Sequence, residues 1–260
     1  MPVTRKPDNS KPWVLAVAGV KGGTGKTTLA AHLAAAIGTK ARPAVLCDLD
    51  PQAAATSWLL PDAPAVGLHL AADLEAGRPA RTVAAPKVPS VRVAPGHLDL
   101  AEWDGEFERV RSRLPRVLQT DAAPDLVVLD LPPSWGAILA GALFTADAVL
   151  VVVEARELGV ARLGDLLDLI DQVREERRGL PELLGVLPNK ANRTRLSRGV
   201  IERLERRYRQ TLAPVREAAR IAETPRLSAT LWETPGETPA KDDLAALVAT
   251  VRRAMKRGKA

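Results

Sequence analysis

Apolar positions along the chain fall into two kinds of run. The first kind is short and unbroken: Trp13–Ala18, Ala44–Cys47, Leu126–Leu129 and Ala148–Val153, with Leu183–Leu187 as a fifth and Val91–Ala94 as a weaker sixth. Runs of Val and Leu without polar alternation suit strands covered on both faces, as in a parallel sheet. The second kind repeats at helical spacing. Thr27–Ile37 is rich in Ala and Leu, and Leu158–Arg177 carries Leu163, Leu166, Leu167, Ile170 and Val173. Leu196–Tyr208 and Asp242–Met255 are also amphipathic. Strand and helix alternate over the whole length. That predicts an α/β fold, doubly wound, with a mostly parallel sheet flanked by helices. The expected extent is one domain over residues 13–260, after a flexible tail at 1–12. Pro61–Pro95 is the least regular part, and Thr234–Pro239 forms a loop ahead of the last helix.

Composition narrows the class. Hydrophobic residues make up 46% and charged residues 26% of 260, which is ordinary globular composition. No apolar run is long enough to span a bilayer. The first eleven residues lack the apolar core of a secretory signal. The single cysteine, Cys47, precludes an intrachain disulfide and a cysteine-built zinc or iron–sulfur site, and a reducing cytoplasm is expected. His32, His69 and His97 are scattered, so no metal constellation is expected of them.

Charge is uneven. The net charge is +6, but residues 190–260 hold 17 basic and 8 acidic residues, against 20 and 23 in the first 189. A polyanion partner and a plain solvated face both fit such an asymmetry.

The strongest chemical signal is Gly19-Val20-Lys21-Gly22-Gly23-Thr24-Gly25-Lys26-Thr27-Thr28. It follows a predicted strand and opens a predicted helix. There, loop N–H groups can curl round phosphate oxygens while the helix N-terminus adds its dipole. Lys26 is placed to neutralise β- and γ-phosphates and the Thr27 hydroxyl to hold Mg²⁺. The usual first Gly of such a loop falls at Val20, and Lys21 adds a second lysine that loop geometry does not require. Two more strands end in acid. Val45-Leu46-Cys47-Asp48-Leu49-Asp50-Pro51-Gln52 puts two aspartates at a strand's C-terminal end, where open α/β sheets bind ligands. Asp125–Asp130 is four apolar residues between acids, followed by Leu131-Pro132-Pro133, whose prolines stiffen the turn.

Together these residues resemble the ParA/MinD family of deviant Walker A ATPases, and most of all the short, chromosomal-type ParA partition ATPases. The resemblance implies a P-loop NTPase fold and Mg²⁺-dependent ATP hydrolysis. It implies that ATP is bound by Lys21 to Thr28. By the same resemblance, Lys21 is expected to act in trans on the ATP of a partner subunit in an ATP-bound homodimer. Asp50 is expected to orient the attacking water, Asp130 to hold Mg²⁺, and Asp48 to support the ion and Thr27 from behind. Asn189 is set to hydrogen-bond the adenine. Arg193 and Arg220 match positions that bind DNA without sequence preference, although Glu217 stands where a relative more often carries a base. A ParB-like centromere-binding partner and a nucleoid-associated location follow from the same resemblance. No helix-turn-helix domain is expected before the first strand. A MinD-like membrane ATPase is the first rival, but Leu244, Leu247, Val248, Val251 and Met255 read as one packing stripe, and no membrane partner is expected. A metabolic ATP-dependent ligase on the same fold is the second. The rivals are kept apart by liposome binding and by the need for a second substrate pocket. An ATPase that positions another cargo is a further alternative that the sequence leaves open. Trp58, Trp103, Trp135 and Trp232 read as packing residues, with Trp135 close enough to Asp130 to move with it. Arg203, Arg206, Arg207 and Arg209 read as a solvated helix face.

Overall fold

The structure, a computed structural model, describes residues 11–62, 64–156 and 160–258. Most of the expected tail and the expected helix start at Leu158 lie outside the described residues. Seven strands form one sheet: β1 Trp13–Ala18, β2 Ala44–Asp48, β3 Val83–Ala84, β4 Val91–Ala94, β5 Leu126–Asp130, β6 Ala148–Glu154 and β7 Glu182–Asn189. Their spatial order is β3-β4-β2-β5-β1-β6-β7. All pairings are parallel except β3 with β4. Among the helices are α1 Lys26–Ile37, α2 Ala54–Leu59, α3 Leu70–Ala76, α4 Phe107–Val117, α5 Ala137–Thr145, α6 Val160–Glu176, α7 Arg195–Arg207, α8 Ala219–Leu227 and α9 Pro239–Gly258.

The unbroken apolar runs are strands because both faces of the sheet are covered. Successive residues of β1 feed opposite cores. Val14, Ala16 and Ala18 pack with Leu114, Ile138, Leu166, Ile170 and Leu204. Trp13, Leu15 and Val17 pack with Leu29, Leu33, Leu244, Leu247 and Val251. The α9 stripe is thus spent on α1 and the sheet. Each Val, Leu or Ile among them contributes about 1.5–3 kcal/mol when fully buried. None of the described helices is long and apolar enough to cross a membrane. Cys47 is wholly buried within β2.

The expected strands are all present, several of them longer than expected. The structure adds elements the pattern did not announce: β3, α2, α3, α4, α5 and α8. The stretch read as irregular holds α3, capped at its start by His69, whose ring accepts from Ala72 N, and at its end by Gly77. Proline hid two others. Pro225 sits inside α8 and cannot donate to Ile221 O, but the Thr224 hydroxyl donates to that carbonyl at 2.7 Å instead. Pro115 sits in the last turn of α4, where the buried side chains of Val110, Leu114 and Val117 hold the helix down.

Candidate active site

The chemistry gathers beyond the C-terminal ends of β1, β2, β5 and β7. The loop 19–25 leaves β1 and enters α1, whose first turn carries no acidic residue and whose N-cap offers no side chain. Its N–H groups therefore stay open to an anion. Gly25 has φ 93°, and the space a Cβ would take is filled by the Asn189 amide, so only glycine fits there. Lys26 is buried and its Nζ donates to Lys21 O at 3.2 Å. Burial lowers its pKa, and Asp130 and Asp50 oppose that. Lys21, Gly22 and Gly23 are exposed at the rim, Thr24 is buried, and Thr27 and Thr28 are half-buried.

Parallel pairing sets Asp48 of β2 directly beside Asp130 of β5. Both are fully buried. Asp48 Oδ2 accepts from Thr56 N and Thr56 Oγ1, each at 2.7 Å, while its Oδ1 has no hydrogen-bond partner among the described residues. Among the described residues neither oxygen of Asp130 has a hydrogen-bond partner of ordinary geometry, although the Thr27 hydroxyl is close enough to act on it. Burial pushes the Asp48 carboxyl up to about 6 against the pull of the Thr56 bonds. Burial and then the charge of Asp48 push Asp130 well above the usual carboxylate range, while the Thr27 hydroxyl and Lys26 draw it back. Two buried carboxylates with three orphaned oxygens, beside a threonine hydroxyl, are the hard oxygen donors that suit Mg²⁺. Without a cation such a pair is costly to keep ionised. Asp50, two residues on, is half-buried, and its Oδ1 accepts from Gln52 N at 2.9 Å.

Two contributors escaped the sequence reading. Thr56, on α2, donates to Asp48 and accepts from Gly96 N at 2.8 Å. Gly96, after β4, passes so close that a Cβ would sit 2.8 Å from Asp48 O and 2.9 Å from its Cγ. Nothing in the spacing of these residues signals the contact, because it depends on how α2 and β4 return to β2. Downstream of Asp130, the turn Pro132–Gly136 is anchored where Ala137 N donates to Asp104 O at 2.8 Å. Trp135, in that turn, is exposed, whereas Trp58 and Trp103 are buried.

Asn189, expected at the adenine, has its amide nitrogen engaged elsewhere: Nδ2 donates to Thr24 O at 2.7 Å. The chain then runs directly into the basic surface. Ala191 N donates to Val215 O at 3.0 Å and Glu217 N to Ala191 O at 2.9 Å, so the segment that leads to Arg193 lies alongside the one that leads to Arg220. Arg193 is exposed ahead of α7, with Arg203, Arg206, Arg207 and Arg209 exposed beyond it. Arg220 is half-buried at the start of α8 and donates to Pro235 O. Glu217 is paired with Arg156.

The histidines correct the expectation that they are scattered. His69 and His97 stack with ring centroids 4.2 Å apart and planes 16° apart, beside Asp99, their ligand atoms within 4.8 Å of one another. The fold brings them together because Leu70 N donates to Pro95 O. Each Nδ1 accepts a backbone N–H, from Ala72 and from Asp99, and near-parallel rings do not converge their in-plane lone pairs. The pair caps two helical turns. His32 is buried in α1; its Nδ1 lies 2.7 Å from Thr28 O and its Nε2 accepts from Leu231 N at 3.1 Å. Trp232 Nε1 donates to His32 O, and Trp58 Nε1 to both Thr224 O and Ala229 O. Three ring systems thereby sew the end of α8 to α1 and α2.

A family model described as an AAA domain matches residues 13–181. The chromosome-partitioning ATPase Soj of Thermus thermophilus is 31% identical over 228 residues, covering 86% of this chain and 89% of Soj. Among solved structures, an ATP complex of a Cyanothece McdA variant superposes with a TM-score of 0.80 at 19% identity, covering 95% of this chain and 97% of that one. Cobyrinic acid a,c-diamide synthase of Mycobacterium smegmatis, with bound ATP analogue and magnesium, gives 0.73 at 26% identity, covering 95% and 96%. With the doubly wound sheet, the two-lysine phosphate loop and the paired aspartates in place, the chain belongs to the ParA/MinD family of P-loop ATPases.

Proposed function

We propose that this chain is an ATP-hydrolysing switch for DNA segregation. Lys26 and the loop N–H groups hold the β- and γ-phosphates. Thr27 and Asp130 hold Mg²⁺, with Asp48 behind them fixed by Thr56. The ion, when bound, neutralises charge on the phosphate oxygens. Asp50 orients the attacking water. Lys21 reaches the ATP of a second copy, which makes dimerisation a condition of turnover. The dimer holds DNA by its phosphates, through Arg193, Arg220 and the basic face around them, and a ParB-like partner stimulates hydrolysis and release.

The observation that carries this reading is a continuity of chain. The segment touching the phosphate loop at Asn189 runs without a break into Arg193. Nucleotide state and basic surface thus share one segment. Co-sedimentation with DNA in the presence of ATP, ADP or no nucleotide tests it. Retention with ATP alone is expected. Retention independent of nucleotide, or none under any condition, overturns it.

The 26% identity to a diamide synthase over 95% of the chain favours a second reading, an ATP-dependent ligase. Under that reading DNA leaves the ATPase rate unchanged and a small carboxylic acid raises it. The buried α9 stripe argues against membrane attachment by that helix.

A further inference from the structure

The phosphate loop is gripped from outside by two consecutive residues at the end of β7. Asn189 Nδ2 donates to Thr24 O at 2.7 Å and Lys190 Nζ donates to Gly23 O at 2.5 Å. Both acceptors are main-chain carbonyls in the middle of the loop. In a planar trans peptide the carbonyl and the N–H of the following residue point in opposite directions. A carbonyl drawn toward β7 therefore turns the next N–H away from it. Holding Gly23 O aims Thr24 N–H, and holding Thr24 O aims Gly25 N–H, toward the side of the loop left open to a ligand.

Asn189 and Lys190 are themselves held firmly. Asn189 is buried, and its own carbonyl accepts from Ala155 N at 2.8 Å just after β6. Lys190 has φ 54°, a left-handed conformation that a non-glycine residue keeps only when its surroundings enforce it. Its ammonium also faces the Glu154 carboxylate at 3.9 Å. The missing Cβ of Gly25 leaves room for the Asn189 amide to reach in.

We propose that Asn189 and Lys190 are positioning residues for phosphate binding, turning two successive loop N–H groups toward the nucleotide's phosphates. The inference rests on the reading of the loop as a nucleotide site. Preorganised donors of this kind need no rearrangement when the anion arrives.

The test uses the full chain and three ligands: Mg·ATP, Mg·ADP and inorganic tripolyphosphate, which has phosphates and no base. Affinities are measured by calorimetry for the wild type, Asn189→Ala, Asn189→Asp, Lys190→Met and Lys190→Arg. Asn189→Asp keeps the shape and loses the donor, so it guards against misfolding of the alanine variant. One lost hydrogen bond to an oriented carbonyl predicts roughly a 3- to 10-fold loss. The loss should be the same for all three ligands in Asn189→Ala, Asn189→Asp and Lys190→Met, with Lys190→Arg restoring most of it. A loss confined to ATP and ADP, with tripolyphosphate unchanged, assigns Asn189 to the base and overturns the proposal. So do variants that bind all three as the wild type does. A wild type that binds none of the three sinks the nucleotide reading itself.

Discussion

At the ends of β2 and β5, Asp48, Asp130 and Lys26 lie buried within one site, each shifting the proton affinity of another. Along the surface from Lys190 to Arg220, exposed arginines stand in water. Some have single acidic partners, such as Arg206 with Glu202, and Arg156 from β6's end meets Glu217. The contrast concerns how charge is held. Where water is excluded, removing one group strands its neighbours, so effects are large and non-additive. Where water is present, each charge is screened and contributes little alone, so effects are small, additive and dependent on salt.

The largest effect should come from Lys21, which belongs to the loop but is exposed at its rim. Lys21→Ala should leave nucleotide binding largely intact, because Lys26 and the loop N–H groups remain. It should abolish the ATP-dependent dimer and stimulated hydrolysis. Sizing chromatography with a non-hydrolysable ATP analogue checks this, and a normal dimer would return Lys21 to the solvated class. Next comes Asp50→Ala. Loss of water positioning should slow phosphate release by roughly 10²–10⁴-fold while Mg·ATP binding survives. Turnover at the wild-type rate would move that role to another residue.

A third prediction concerns His32, which is buried but far simpler than the carboxylates. Burial pushes its pKa down to about 4, against 6.5 for an exposed imidazole. Between those values the unfolded chain takes up a proton that the folded chain refuses, so stability should fall as pH drops from about 6.5 to about 4. The full loss is about 3 kcal/mol. The raised carboxyls of Asp48 and Asp130 act with the opposite sign, since their contribution is lost as pH rises. The comparison is therefore between wild type and His32→Gln in urea unfolding at each pH. The two curves should converge toward acid. Parallel curves would mean that His32 is protonated in place.

The smallest single effects belong to the surface. Each phosphate neutralised contributes about −0.9 to the slope of log K against log salt, and one arginine per subunit is two per dimer. Arg193→Ala should flatten the slope by roughly 1.8. Arg220→Ala should do about the same once its guanidinium lets go of Pro235. Affinity should fall equally on unrelated DNA sequences, and the DNA-free ATPase rate should not change. Unchanged binding and slope in both variants would leave the basic face with no DNA role.

What was legible in the sequence follows the same division. The strands and their terminal acids could be read because burial on both faces writes an unbroken Val/Leu run, and Asp48 and Asp130 end two such runs. The loop could be read because Gly25-Lys26-Thr27 sits between a strand and a helix. Contacts made between returning segments left no trace. Thr56 meets Asp48 only because α2 folds back over β2, and His69 meets His97 only because α3 starts where β4 ends. Asn189 was visible as a strand-end residue, but the direction of its amide was not. α8 was hidden because a proline within it reads as a break until the Thr224 hydroxyl is seen to serve the freed carbonyl.

Cys47 carries a practical consequence. It is the sole cysteine of the chain, it is sealed inside β2, and burial pushes its thiol well above the ordinary range. A thiol in that state is a poor nucleophile toward maleimides and disulfide reagents. The native chain therefore serves as its own unlabelled background. One cysteine introduced at the rim of the phosphate loop would be the only reactive thiol, so a crosslink between two copies would report their face-to-face approach without any prior mutation to remove competing sulfur.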